Sequence, residues 1–313
     1  MKIGIIGAGF VGSTTAYTLA IKSLAQEIVL IDLNQDRATA EALDVLHAAA
    51  LNNGCKIYNG SYEDLDGAEI VVITVDSKLA LTGNNRLALL ESNTKIMKAI
   101  IPDIVKNAPD CKIVIATNPV DVITKIVLDI SKFPRERVIG SGTVLDTARF
   151  RSMLSEKIGM SPKSIHAYVL GEHGSSSLVS WSTAHVGGEK LEVYAQNHGQ
   201  VLTDEYKKTT AKEVIDVGFK IYHGKSATYY GIASSLVSIC EAIINDEART
   251  LTVSTLHDEV EGYKDICLSL PTIVDKNGAH DAFVPNLSKA ETNILRHSAM
   301  AMSEATAEAE KFL

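Results

Sequence analysis

The 313-residue sequence predicts an α/β protein, a doubly wound parallel sheet covered by helices, followed by a mixed α+β region. Three observations predict it. A glycine turn, GAGFVG, stands between an isoleucine-rich run and a helix-compatible segment. Apolar runs of five or six residues then alternate with helical segments as far as Ser131. Past Gly142 this alternation fades, so a boundary is expected near Gly140, dividing the chain into 1–140 and 141–313.

Taken in order, Lys2 to Ile6 (KIGII) reads as a strand and Val11 to Ile21 as the helix behind the turn. Glu27 to Ile31 (EIVLI) is a second strand ending at Asp32, twenty positions beyond Gly12. Asp36 to Ala50 is helical, Ile70 to Val75 (IVVITV) a buried strand and Asn84 to Asn107 a long helix. Lys112 to Ala116 (KIVIA) is another strand, and Val120 to Ser131 the helix after it. Continuous apolar strands between helices indicate a parallel sheet covered on both faces. In the second half, Leu145 to Ile158, Asp204 to Ile221 and Ala227 to Asn245 read as helices. Ile165 to Leu170, Ser177 to Val186 and Leu251 to His257 read as strands. Asp265 to Val274 with the Asn277-Gly278 turn suggests a hairpin. Ser288 to Phe312 closes the chain as a helix, with Ser288 as cap and Glu291 at the capping-box position.

Strand, glycine turn and helix, with an acidic residue at the next strand end, form a dinucleotide-binding pattern. Gly7 permits the tight turn, Gly9 lets backbone approach a pyrophosphate, and Gly12 allows helix and strand to pack closely. Val11 belongs with them at the helix N-terminus, whose unpaired N–H groups suit phosphates. Asp32 can accept from both ribose hydroxyls and would repel a 2′-phosphate, which selects NAD over NADP. The sheet is therefore expected to be of the Rossmann type. Asn118, in TNPVD after the KIVIA strand, is placed either to contact the nicotinamide end or to cap the helix from Val120.

Composition excludes several function classes. No apolar run reaches the roughly 18 residues of a membrane span, and the uncharged run from Ile3 to Ile21 lacks a signal-type ending. Cys55, Cys111, Cys240 and Cys267 are scattered without metal-ligand spacing, so no metal site is expected and a reducing, cytoplasmic setting is. A net charge of −8 without a basic run argues against nucleic acid and for a small-molecule ligand. Asp146 and Arg149 lie three apart on one helix and share a face. His173 sits between Gly171 and Gly174 on a turn where backbone can be approached closely. Taken singly, each fits an ordinary surface pair or a structural histidine as well as chemistry.

Jointly these residues resemble the L-lactate and L-malate dehydrogenase family. GAGFVG with Asp32, TNPVD, GSGTVLDTARF, GEHG, GKSATYYGIA and LTVS occur in family order over essentially the whole chain. The likeness is nearest to bacterial L-lactate dehydrogenases and to L-2-hydroxyisocaproate dehydrogenases, the latter echoed by LVSWST. It implies that His173 gives a proton to the substrate carbonyl and that Asp146 holds its other ring nitrogen. Arg149 would grip the substrate carboxylate through a two-point fork, and Arg86 would polarise the carbonyl. Asn118 and Ser141 would lie near the reaction centre, and Thr228 would form a pocket wall. Hydride would pass between NAD and the carbonyl carbon of a 2-oxo acid, in a fermentative or glycolytic role.

Some residues depart from the family pattern. TVDSKLALTGNNR has Val75 and Asp76 where small residues are expected, and neither the glutamine of lactate enzymes nor the arginine of malate enzymes. Without that arginine, oxaloacetate is disfavoured, and Leu79, Ala80 and Leu81 suggest an apolar wall for pyruvate or a larger 2-oxo acid. Asp76 beside a pyrophosphate is unfavourable unless it points away. Arg151 and His166 match the positions that bind fructose 1,6-bisphosphate across a subunit interface in activated bacterial enzymes. The resemblance thus implies a homo-oligomer, a tetramer or a dimer, and, without an N-terminal arm, one assembled through other surfaces. Two other classes are a related NAD-dependent glycosidase, which would need Cys and His metal ligands, and a non-catalytic NAD sensor, which would not need Asp146, Arg149 and His173 together.

Overall fold

The computed structural model describes residues 1–77 and 86–313, the side chains of Arg86 and Leu87 excepted. Six parallel strands form its centre: β1 (Lys2–Ile6), β2 (Glu27–Ile31), β3 (Lys56–Asn59), β4 (Ile70–Ile73), β5 (Lys112–Ile115) and β6 (Val138–Gly140). Their spatial order is β3-β2-β1-β4-β5-β6. The order reverses between β1 and β4, and ligands of such sheets bind beyond the strand carboxyl ends at that reversal. The helices are α1 (Phe10–Ile21), α2 (Gln35–Ala50), α3 (Arg86–Asn107) and α4 (Val120–Ser131). The strands are buried on both faces, Ile3, Ile5, Ile28, Leu30 and Val72 toward α1 and α2, and Val29, Val71, Ile73, Ile113 and Ile115 toward α3 and α4. This is the two-faced burial that the continuous apolar runs predict.

The second half comprises α5 (Val144–Ile158), β7 (Ile165–Leu170), β8 (Leu178–Val186), β9 (Glu189–Lys190), α6 (Leu191–Asn197), α7 (Asp204–Lys225) and α8 (Tyr230–Ile244). After them come β10 (Arg249–Val260), β11 (Tyr263–Asp275), β12 (Gly278–His280) and α9 (Lys289–Glu310). Strands β7, β8 and β9 form a small antiparallel sheet of their own. Strands β10, β11 and β12 instead extend the central sheet, because Ser254 pairs antiparallel with Gly140. One sheet thus runs across residue 140. A separate core between α5, α7 and the small sheet is built on Phe150, which is fully buried and meets Trp181 edge-on at 4.9 Å.

Three local differences from the sequence reading have physical reasons. Strand β3 was not expected, since only Ile57 of its four residues is buried and an edge strand of that length shows no alternation. Strands β10 and β11 form one long hairpin through Glu261-Gly262, both at positive φ, as a two-residue hairpin turn requires. The next turn is Lys276-Asn277, with Gly278 already paired to Asp275. The cap of α9 is as predicted: Ser288 Oγ accepts from the Glu291 amide at 3.3 Å, and Glu291 accepts from the Ser288 amide at 2.9 Å.

Candidate active site

The site assembles from strand ends. After β1 the chain turns at Gly7, whose φ of +102° is one that side chains avoid. A methyl group on Gly12 would stand 1.9 Å from the Gly7 carbonyl oxygen, so only hydrogen fits between helix and turn. At Gly9 a methyl group would meet no atom within 4 Å among the described residues, so their packing does not require glycine there. Gly9 also begins α1 without any side-chain cap. First-turn amides left without partners are the groups that hold phosphates. Val11 packs its side chain on the α1 core, leaving only its backbone for that purpose. The Asp32 carboxylate is fixed by the Ala8 amide at 2.7 Å and the Asn34 amide at 2.8 Å, beside the glycine turn. Uncapped first-turn amides beside an oriented carboxylate fit a dinucleotide.

The turn after β7 carries His173 and is held at every amide. Gly171 donates to the Ser269 carbonyl of β11 at 2.8 Å, and Glu172 donates to Ser298 Oγ of α9 at 2.6 Å. His173 donates to Asp121 Oδ2 of α4 at 2.8 Å, and Gly174 donates to the Glu172 carbonyl at 3.0 Å. Gly171, at φ +86°, lies so near α9 that a methyl group would meet Ser298 Oγ at 2.5 Å.

Helix α5 presents Asp146 to this turn. It is tied to β7 where Thr147 Oγ1 accepts from the Val169 amide at 2.9 Å and Thr143 Oγ1 donates to the Val169 carbonyl at 2.5 Å. His173 Nδ1 and Asp146 Oδ2 are 2.6 Å apart, and Arg149 Nη1 donates to Asp146 Oδ1 at 2.8 Å. The Asp146 side chain is only 7% exposed, against 29% for His173 and 15% for Arg149. The surface-pair alternative for Asp146 and Arg149 therefore falls away. Burial works against the charge on Asp146, yet His173, by charge and hydrogen bond, and then Arg149 hold its carboxyl below the usual range. Burial likewise opposes a charged His173, but Asp146 and then Asp121 outweigh it and raise the imidazole above its ordinary value. The pair thus favours a proton on the ring.

The remaining candidates occupy neighbouring positions. Asn118 follows β5, but Pro119 is the N-cap of α4 and no side chain caps that helix, so the capping alternative is not realised. Ser141, buried at the end of β6, donates its amide to the Ile115 carbonyl at 2.7 Å. Thr228 lies in the segment between α7 and α8, where Tyr229 stacks on Phe10 of the glycine turn at 5.3 Å. Asn93, fully buried on α3, was not singled out from sequence. Its amide donates to Asp76 Oδ1 at 2.8 Å and to the Asn118 carbonyl at 2.6 Å, and its oxygen accepts from the Ser77 amide at 2.8 Å. Asp76 is thereby drawn toward α3. The Arg86 side chain and Leu79, Ala80 and Leu81 lie outside the described residues.

Arg151 and His166 are close in the fold but are not bonded to each other. Arg151 Nε donates to the Ala167 carbonyl at 2.9 Å and its guanidinium lies 5.1 Å from the Tyr168 ring centre, while His166 is exposed on β7. Among the described residues no group of three or more His, Cys, Asp and Glu could hold a metal ion, and no helix is long and apolar enough to cross a membrane.

Known proteins resemble this chain along nearly its whole length. The family profile described as lactate/malate dehydrogenase, NAD binding domain, matches residues 1–140, and its alpha/beta C-terminal domain counterpart matches residues 143–313. The L-lactate dehydrogenase of Thermus aquaticus is 44% identical over 299 residues, 96% of either chain. That of Geotalea daltonii is 42% identical over 304 residues, again 96% of each. The crystal structure of a minor L-lactate dehydrogenase from Enterococcus mundtii in a ligand-bound form superposes with a TM-score of 0.93 at 35% identity, covering 99% of this chain and 98% of that one.

Proposed function

Because the chain belongs to the lactate/malate dehydrogenase family, we propose that it is an L-lactate dehydrogenase, reversibly reducing pyruvate to L-lactate with NAD as cofactor. The observation that carries this reading is the 2.6 Å contact of His173 Nδ1 with a buried Asp146. With Nδ1 donating to the carboxylate, Nε2 is the ring atom left to hold a transferable proton. It gives that proton to the substrate carbonyl oxygen in reduction and takes it back in oxidation.

When bound, the dinucleotide supplies or accepts the hydride at the carbonyl carbon. Residues 1–140 are its domain and 141–313 the substrate domain. Gly7, Gly9, Gly12 and the Val11 amide line the pyrophosphate cradle, Asp32 takes the ribose hydroxyls, and Asn118 and Ser141 stand at the nicotinamide end. Arg149 binds the substrate carboxylate. Only one of its five N–H donors is given to Asp146 in the contacts described, so a fork remains available. Arg86 polarises the carbonyl, and Thr228 walls the pocket.

The enzyme works in the cytoplasm as a homo-oligomer, and Arg151 with His166 forms a fructose 1,6-bisphosphate site between subunits. The test is NADH oxidation with pyruvate, 2-oxoisocaproate, phenylpyruvate and oxaloacetate, each with and without that bisphosphate. Pyruvate is expected to give the highest kcat/KM. Preference for oxaloacetate would overturn the substrate reading, and kinetics indifferent to the bisphosphate would remove the regulatory one.

A further inference from the structure

Asp76 stands where the family pattern leads one to expect a small residue, and the fold gives its side chain a definite partner. It follows β4, whose end is tied to the turns on either side. Thr74 Oγ1 donates to the Gly7 carbonyl at 2.9 Å, in the glycine turn after β1. Thr117 Oγ1, from the turn after β5, donates to the Val75 carbonyl at 2.6 Å. Asn93 of α3 adds a third tie. Its Nδ2 donates to Asp76 Oδ1 at 2.8 Å and to the Asn118 carbonyl at 2.6 Å, and its Oδ1 accepts from the Ser77 amide at 2.8 Å. A carboxamide has two N–H donors and one acceptor oxygen, so every part of this one is engaged. Asn93 is fully buried, where a donor without an acceptor is costly. A small residue at position 76 would offer Asn93 no side-chain acceptor.

We infer that Asp76 is a positioning residue for the cofactor: through Asn93 it braces the Asn118 turn, and with it the nicotinamide end of the dinucleotide site. The inference rests on Asn118 standing at that end. The path is short and continuous, from the Asp76 carboxylate through one carboxamide to the Asn118 carbonyl. Hydrogen bonds in series polarise and strengthen one another, so an acceptor at one N–H of Asn93 firms the hold of the other. The same carboxylate lies two residues beyond Thr74, which touches the glycine turn, and its charge repels phosphate there. Acceptor and charge thus act on NADH binding in opposite directions. Asp76 is itself exposed, so its replacement opens no cavity and the two effects can be separated by substitution.

The test measures NADH binding by fluorescence in the full-length protein and in its D76N and D76A variants. Both variants lose the charge, but only D76N keeps an oxygen for Asn93. NADH is expected to bind D76A about three- to tenfold more weakly than D76N, as for one lost hydrogen bond. ADP-ribose, which has the pyrophosphate and both riboses but no nicotinamide, is expected to compete equally well against NADH in the two once their NADH affinities are allowed for. In an N93A background the difference between D76N and D76A is expected to vanish. Equal NADH affinities in D76N and D76A would overturn the inference. So would a difference that ADP-ribose shows in full, or one that persists with N93A. The ligand comparison is a readout that a role in stability alone would not move, and it stands even if N93A does not fold. No 2-oxo acid enters the measurement, so an error in the substrate reading leaves it untouched.

Discussion

Asp146→Asn removes one negative charge at the most connected point of the site and changes shape least. Both carboxylate oxygens are engaged, one with His173 Nδ1 at 2.6 Å and one with Arg149 Nη1 at 2.8 Å, and the side chain is 7% exposed. Solvent therefore screens these pairs little. Breaking a buried pair by removing one partner costs about 3–5 kcal/mol. At about 1.36 kcal/mol per factor of ten, even about 3 kcal/mol lowers kcat/KM for pyruvate about 10²-fold if it falls on the transition state. The sign of the pH effect follows from the raised His173. Reduction uses the protonated ring, so activity is present below the raised pKa and lost as pH rises through it. Without the carboxylate the ring releases its proton earlier, and the alkaline limb moves down. The acid limb of lactate oxidation reports the same group and must move down with it. The assay is steady-state NADH oxidation and NAD reduction across pH, with NADH binding followed separately. Unmoved limbs, or a loss traced wholly to weaker NADH binding, would refute the reasoning.

His173→Ala is expected to abolish turnover while NADH still binds, because the dinucleotide cradle lies at the ends of β1 and β2; near-normal activity in that variant would sink the assignment. Gly12→Ala should destabilise the fold by about 1–3 kcal/mol, the usual range for overpacking, since its methyl group would sit 1.9 Å from the Gly7 carbonyl oxygen. A thermal melt unchanged from the unsubstituted protein would show that the turn has more room than this.

The legible parts of the chain were those governed by near neighbours in sequence. GAGFVG with Asp32, the buried strands and the Ser288–Glu291 capping box each depend on contacts along one or two elements. Asp146 and Arg149 were readable as one helix face, but their burial was not, because it comes from β7 packing on α5 through Thr143 and Thr147. Asn93 and Asp121 escaped notice for the same reason. Asn93 meets Asp76 and Asn118 only once α3 and α4 lie against the strand ends, and Asp121 meets His173 across 52 positions. The Asp76 problem dissolved similarly, since a carboxylate unwelcome near phosphate is tolerable when an amide draws it aside. Family resemblance supplied the link between the two halves that spacing alone could not.

The turn around His173 also bears on the order in which the protein matures. Its amides are tied to Asp121, Ser269 and Ser298, which belong to α4, β11 and α9. Contacts spanning such separations form late, since the intervening loops must first be closed. A chain lacking α9 would lose the Ser298 hydroxyl to which the Glu172 amide donates, one residue before His173. Helix α9 therefore reaches the turn of His173 through one hydrogen bond that spans 126 positions of the chain.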